Sequence, residues 1–175
     1  MFSFPAYVLI GDDRTGKTNF QKFLISTLCR RSFTRLPRNL VLDIVHPRMP
    51  RGCGKFMSMN RSFQEKRDEY IDIDFYFNNI FKDADICVLS SHTHDPSIDD
   101  LRKMIARLKT RCYNPKAVFF SNGYNAYAEL ISLLDWEERL WIDNPQRDSE
   151  EEFLEQIRYL AEEFANLLIA RAHVA

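Results

Sequence analysis

Long apolar runs are missing from this chain of 175 residues. The first apolar run, residues 6–10, is only five residues long, whereas a membrane-spanning helix needs about 20. It has neither a preceding basic segment nor a following small-residue cleavage site, so a secretory signal is not expected. The four cysteines are widely scattered without a CxxC pair, which is typical of free thiols in a reducing compartment rather than a disulfide framework. We therefore expect a cytoplasmic protein without a membrane span.

Glycine and proline are also scarce, with five and seven residues, which excludes a collagen-like or low-complexity chain. Hydrophobic residues make up 45% of the sequence and charged residues 28%, enough for a core and for solubility. The length is that of one compact domain, and no internal repeat is visible. We expect a single domain over residues 1–175.

Short apolar segments alternate with segments of helical periodicity. Strands are predicted at 6–10, 39–45, 85–91, 116–121 and 140–142. Helices are predicted at 17–31, 73–83, 97–109, 127–134 and 149–170, with Ser97 and either Asp148 or Ser149 as N-caps. Periodicity fails between residues 48 and 67, which are predicted to be a loop. Strands that are apolar throughout and alternate with helices predict a three-layer α/β fold, with a mostly parallel sheet of five or six strands and helices on both faces.

One motif carries most of the functional information. Residues 11–18 read GDDRTGKT and fit the pattern G-x-x-x-x-G-K-[ST], between an apolar strand and an amphipathic helix. Backbone N–H groups of such a loop, with the positive end of the helix dipole, form an anion site. Lys17 would reach the β- and γ-phosphates and the Thr18 hydroxyl would bind Mg²⁺. The predicted nucleotide-binding residues of this loop are Gly11, Asp13, Arg14, Thr15, Gly16, Lys17, Thr18 and Asn19.

With this motif the sequence resembles the P-loop NTPases, and several stretches are similar to Ras-type small GTPases. Residues 81–89 followed by Asp95-Pro96-Ser97 resemble their central strand, loop and helix. Residues 116–125 occupy the place of their N-K-x-D motif, in which Asn122 matches and Asn125 replaces the Asp. The resemblance implies that Asn122 and Asn125 contact the base, with a modest preference for GTP. No D-x-x-G follows the P-loop in the expected place, so slow hydrolysis is predicted.

A second branch of the superfamily accounts for another segment. Residues 41–47 are similar to the second strand of ParA-type and DNA-motor ATPases, in which an Asp ends an apolar strand. A catalytic P-loop protein needs a carboxylate near Mg²⁺, and Asp43 is the best candidate. The sequence thus leaves ATP and GTP open, and it also leaves open a nucleotide-binding module without turnover.

Other polar residues are candidates for the phosphate site. Thr34 lies sixteen residues after Thr18, where Ras-like proteins keep a switch threonine that closes on Mg²⁺, and the resemblance implies a catalytic role for Thr34 beside Lys17. His92 and His94 follow a strand end and are expected near the phosphates. Whether they contact the phosphates is left open.

Charge is divided unevenly along the chain. Between residues 30 and 67, ten Lys and Arg residues face only Asp43 and Glu65, an excess of about eight positive charges. Residues 126–175 carry twelve acidic residues and four arginines, an excess of about eight negative charges. The two regions could neutralise each other, or the basic 30–67 segment could meet a partner. We expect a switch surface for a protein partner, with nucleic acid as the alternative.

Overall fold

A computed structural model of the chain describes residues 4–93, 96–122 and 127–174. In these residues the elements follow in this order: β1 Phe4–Ile10, α1 Lys17–Cys29, β2 Asn39–Asp43, β3 Lys55–Met59, a 3₁₀ turn Gln64–Lys66, α2 Arg67–Tyr70, α3 Ile73–Phe75 with a π turn Tyr76–Ile80, β4 Ile86–Ser91, α4 Pro96–Thr110, β5 Tyr113–Phe120, α5 Ala128–Ser132, β6 Glu138–Ile142 and α6 Glu150–Ala172. Among these helices, none combines the length and the apolar character that a bilayer crossing requires.

The strands form a six-stranded sheet in the order β2-β3-β4-β1-β5-β6. Neighbours pair in parallel except β2, which runs antiparallel to β3. The central strands β1 and β4 are buried from end to end or nearly so, because helices cover both faces of a parallel sheet. The predicted α/β fold with a mostly parallel sheet is confirmed, and the strand number is six.

Two layers of helices enclose the sheet. Helices α1 and α6 cover one face, where Phe20, Leu24, Ile157 and Phe164 pack with Tyr7 and other buried residues. The segment 63–81 and helices α4 and α5 cover the other face, where their apolar residues form a second cluster. Each helix thus buries the apolar stripe seen in the sequence, and the loops at the strand ends remain at the two edges of the sheet.

The prediction of a loop from 48 to 67 is wrong, because it contains β3 and the turn that leads into α2. The sequence of β3 is short and mixed, KFMSM, and its Ser58 is fully buried. A buried polar side chain needs a partner, and the Ser58 hydroxyl donates to Oε1 of Gln21 on α1. The strand pairs with β2 and β4, and its buried serine is satisfied by a residue far away in the sequence, so the apolar pattern alone does not reveal it.

Other boundaries differ by small amounts. The predicted helix 73–83 is a single α-helical turn followed by a π turn. Ser97 lies inside α4, which begins at Pro96, so it is not the residue before the helix. Ser149 is the N-cap of α6, where its hydroxyl accepts a hydrogen bond from the Glu152 N–H at 3.2 Å. Of the two predicted caps, the one at Ser149 is confirmed.

Candidate phosphate-binding site

The loop from Gly11 to Gly16 connects β1 to α1 at the edge where the parallel strands end. In register, Ile10 lies beside Ser91 of β4 on one side and Phe119 of β5 on the other. The residues that follow β4, β5 and β6 therefore surround this loop. In open α/β sheets this edge is where ligands bind.

The backbone of the loop alternates between left-handed and ordinary conformations. Arg14 has φ 65° and Gly16 has φ 97°, and such alternation turns successive N–H groups toward one concave side. The backbone N–H groups of residues 13–19 form no hydrogen bond with another residue in the part of the chain that the structure describes. Helix α1 begins here with no acidic residue in its first turn. The loop therefore presents a row of donors at the positive end of a helix.

Lys17 folds back over this loop. Its ammonium donates to the carbonyl oxygens of Gly11 and Asp12, at 2.9 Å in the case of Asp12, and lies 3.4 Å from the Thr15 hydroxyl. Burial lowers the pKa of Lys17 to about 8, although nearby Glu65, Asp13 and Asp12 oppose the shift. A desolvated cation that is held by neutral carbonyls gains from the approach of an anion.

Side chains from three neighbouring connections hold the loop in place. Oδ1 of Asp12 accepts hydrogen bonds from the backbone N–H and the hydroxyl of Thr93, at 3.0 and 2.6 Å. Nδ2 of the fully buried Asn144 donates to the Thr15 carbonyl at 3.0 Å, and its Oδ1 accepts from the Ser121 N–H at 2.8 Å. These contacts hold the loop in one conformation, and preorganisation of this kind lowers the entropic cost of binding wherever a loop takes a ligand.

Two glycines of the motif are required by close packing. A Cβ on Gly11 would lie 2.7 Å from the Thr15 hydroxyl oxygen. A Cβ on Gly16 would lie 2.6 Å from Cδ1 of Ile157 and 3.0 Å from Cζ of Phe153, on α6. The first turn of α1 can thus pack against α6 only where position 16 has no side chain.

A cluster of ionisable side chains lies within electrostatic range of Lys17. Nε2 of His92 lies 3.9 Å from Oδ1 of Asp13 and 3.7 Å from Oε1 of Glu65. The facing His92 imidazole and the Ser62 N–H lower the pKa of Glu65 to about 2, against the effect of burial. Glu65 is therefore a carboxylate at neutral pH, within electrostatic range of the Lys17 ammonium.

The other predicted contact residues lie on α1 and after β5. Thr18 and Asn19 occupy the first turn of α1, with Thr18 exposed. Asn122 follows β5 and is buried, and its Oδ1 has no hydrogen-bond donor among the described residues. Asn125 and His94 lie outside the described residues.

Asp43 does not join this site. It pairs with Lys55 at the start of β3, and the two side chains form an exposed salt bridge at 2.6 Å. Because β2 runs antiparallel, its end lies level with the beginning of β1, seven residues from the loop; at about 3.3 Å per residue that is roughly 20 Å. The magnesium role predicted for Asp43 required a parallel β2, and the structure corrects that premise.

Thr34 lies in the connection between α1 and β2 and is exposed. Its carbonyl accepts a hydrogen bond from Lys22, one helical turn after Thr18, at 2.7 Å. The backbone at Thr34 thus runs beside the first turns of α1, and the switch role predicted for its hydroxyl stays a prediction.

The sequence analysis did not predict several residues that contact this loop. Thr93, Ser121 and Asn144 each follow a strand, and polar residues just after buried strands are a usable signal for this edge. Glu65 has no such signal, because it follows the strand β3 that the apolar pattern did not reveal.

Comparison with protein-family models and with curated proteins finds no match to this chain.

Proposed function

We propose that the chain binds a nucleoside triphosphate with Mg²⁺ at the loop formed by residues 11–18. One observation carries the proposal: seven consecutive backbone N–H groups, from Asp13 to Asn19, lack partners among the described residues and lie beside a desolvated lysine. Backbone donors that converge at the N-terminus of a helix beside a cation form a favourable site for a polyphosphate. In this arrangement Lys17 meets the β- and γ-phosphates, and the exposed Thr18 hydroxyl supplies a ligand to Mg²⁺.

Asn122 provides the second contact of the proposed nucleotide. Its side chain is buried with an Oδ1 acceptor that lacks a donor among the described residues, and such an atom costs free energy until a donor reaches it. Ser121, the preceding residue, is tied through Asn144 to the phosphate loop. A base N–H or amino group placed here would satisfy Asn122 while the phosphates occupy the loop.

Hydrolysis at this site is proposed to be slow. Gln64, the glutamine next to Glu65, donates to Asp100 at 3.2 Å and accepts from the Ser91 hydroxyl at 3.4 Å. Its amide is thus engaged at the side of β4, and it must leave both partners before it can orient a water molecule. A binding module without turnover is the alternative, and Pᵢ release distinguishes the two.

The test is a binding titration with ATP, GTP and their diphosphates, each with and without Mg²⁺. We expect triphosphate binding that strengthens with Mg²⁺ and weakens when the γ-phosphate is absent. A preference for GTP supports the Ras-like branch, and a preference for ATP supports the ATPase branch. Absence of binding by all four nucleotides would remove the proposal.

We further propose that the basic 30–67 segment is the surface for a protein partner. Its salt bridges in the described residues go to Asp43, Glu65, Glu69 and Asp100, and none goes to the acidic residues of α6. Arg30, Arg31, Arg35 and Arg51 are exposed and form no salt bridge within the described ranges. The excess positive charge is therefore available to an acidic protein surface.

Binding assays at increasing salt separate the two kinds of partner. The protein in its triphosphate and diphosphate states is titrated with duplex DNA and with an acidic protein mixture of known composition. We expect no DNA binding at physiological salt. DNA binding that falls by about 0.9 log unit per log unit of salt for each phosphate contacted, and that differs between nucleotide states, would assign the segment to nucleic acid.

A further inference from the structure

Three side chains from three different connections meet beside the phosphate loop. Asp13 belongs to the loop after β1, Glu65 follows β3 and His92 follows β4. One ligand atom from each of the three lies within 4.8 Å of the others. His92 is rigidly placed, because only 7% of its side chain is exposed, whereas the Asp13 side chain is 83% exposed and free to adjust.

The separations fit a shared cation. The distances of 3.7 and 3.9 Å from His92 Nε2 to the two carboxylates exceed the 2.7–3.2 Å range of a hydrogen bond. Two ligand atoms that each lie about 2.1 Å from one ion are about 3.4 Å apart in tetrahedral geometry and at most about 4.2 Å apart. The two distances lie between these values, so an ion fits with small side-chain movements.

We propose that Asp13, Glu65 and His92 bind a divalent transition-metal ion of the Zn²⁺ class. An imidazole nitrogen with two carboxylates suits Zn²⁺ or Co²⁺, whereas Mg²⁺ prefers oxygen ligands throughout. Three protein ligands leave a fourth position open, which is the arrangement of catalytic zinc sites. The site is complete without a nucleotide, so this inference does not depend on the proposed function.

Neighbouring groups set the affinity of this site. The other oxygen of Glu65, Oε2, accepts from the Ser62 N–H at 3.0 Å, which orients the carboxylate toward His92. Two cations oppose a metal ion: Arg61 pairs with Oε1 of Glu65 at 3.2 Å, and the Lys17 ammonium is nearby. Removal of either positive charge should therefore strengthen metal binding.

The experiment titrates the nucleotide-free protein with Zn²⁺ and with Co²⁺ by calorimetry, and follows Co²⁺ by visible absorption. All proteins carry Cys112→Ser, which removes the exposed thiol. We expect one ion per chain, at least tenfold tighter than Mg²⁺. His92→Gln should weaken binding at least tenfold, whereas His46→Gln, which alters a histidine that follows β2 at the other edge of the sheet, should leave it unchanged.

Two further variants keep the result decisive. Glu65→Gln, at a partly exposed side chain, should also weaken binding at least tenfold and covers the case in which His92→Gln fails to fold. Lys17→Ala should weaken triphosphate binding about 10- to 100-fold yet retain or strengthen metal binding, which separates this inference from the proposed function. Equal losses in His92→Gln and His46→Gln, or no stoichiometric ion in the parent protein, would overturn the metal site.

Discussion

Two partly buried lysines, Lys116 within the sheet and Lys17 at its carboxyl-terminal edge, have different hydrogen-bond partners. Lys116, on β5, donates to Glu138 of β6 at 2.9 Å, and the same carboxylate accepts two hydrogen bonds from Arg171, at 2.5 and 2.6 Å. Lys17, at the carboxyl-terminal edge, donates instead to the carbonyls of Gly11 and Asp12. Lys116 is hydrogen-bonded to a carboxylate, whereas the hydrogen bonds of Lys17 go to neutral oxygens and the carboxylates of Glu65, Asp13 and Asp12 lie farther away.

The difference is consistent with a structural role for Lys116 and with the binding role that we propose for Lys17. Lys116 shares the Glu138 carboxylate with Arg171, so loss of this ion pair should affect stability. Lys17 has a pKa lowered to about 8 by burial, which means that the fold tolerates an unfavourable cation at this position. Tolerated strain of this kind concentrates at functional sites. The contrast teaches that the partners of a buried charge, more than its burial, distinguish a structural role from a proposed binding role.

The largest expected effect comes from exchanging the two lysines for alanine separately. Lys17→Ala removes the charged donor to the phosphates of the proposed nucleotide, so triphosphate affinity should fall about 10- to 100-fold, equivalent to roughly 1.5–3 kcal/mol for a charged hydrogen bond. Lys116→Ala should leave affinity unchanged and lower the free energy of unfolding by about 1 kcal/mol. Nucleotide titration and chemical denaturation of both variants provide the measurement. Equal affinities for Lys17→Ala and the parent protein would remove the contrast and the phosphate site with it.

A second test compares two glycines. Gly16→Ala introduces a Cβ 2.6 Å from Ile157 at φ 97°, so stability should fall by about 1–3 kcal/mol and affinity should fall with it. Gly52→Ala is the matched control, because a Cβ there meets nothing within 4 Å, and its stability should stay within about 1 kcal/mol of the parent. Denaturation curves of the two variants measure the difference. Equal free energies of unfolding for Gly16→Ala and Gly52→Ala would mean that packing against α6 does not constrain the loop.

The residues around the loop differ in how far the sequence could predict them. The Gly11–Thr18 pattern is local, since spacing within eight residues fixes the turn, the lysine and the helix start. The predicted position of Asp43 near the phosphate loop was wrong, because β2 runs antiparallel to β3. The direction of a strand depends on its pairing partner, which no local pattern encodes. Glu65 and Asn144 act through contacts with residues far away in the sequence, such as the hydrogen bond from Asn144 to Thr15. The strand end, the turn and the helix start around residues 11–18 were therefore predictable, and the long-range polar contacts around this loop were not.

The lowered pKa of Lys17 gives a third, pH-dependent test. The pKa is about 8 in the folded protein and about 10.5 in an unfolded chain, so the folded state binds fewer protons between these values. The protonated lysine hence opposes folding below about pH 8, and stability rises through this window. The proposed triphosphate binding should depend on pH in the opposite direction to stability, because the charged form of Lys17 attracts phosphate and the neutral form does not. Affinity should fall above pH 8 by up to one log unit per pH unit.

Lys17→Arg is the control for that profile, because a guanidinium stays charged throughout the range. Its affinity is expected to be lower at pH 7 but flat from pH 7 to 10. A parent profile that is equally flat would show that Lys17 does not titrate in the way that burial dictates.

The smallest expected effect concerns Arg14, which has a side chain where the loop conformation favours glycine. Its φ of 65° costs a non-glycine residue about 1 kcal/mol or more, and the greater freedom of glycine in the unfolded chain offsets part of the gain. Arg14→Gly should therefore stabilise the protein by about 0.5 kcal/mol. Because Arg14 is exposed, its charge is screened, and affinity should fall less than about fivefold.

Arg14→Ala separates the contribution of the charge from that of the backbone, since it removes the charge and keeps the strained backbone. If both variants lose affinity more than tenfold, Arg14 binds phosphate directly, and the contrast between the two lysines extends to a second cation at the same loop.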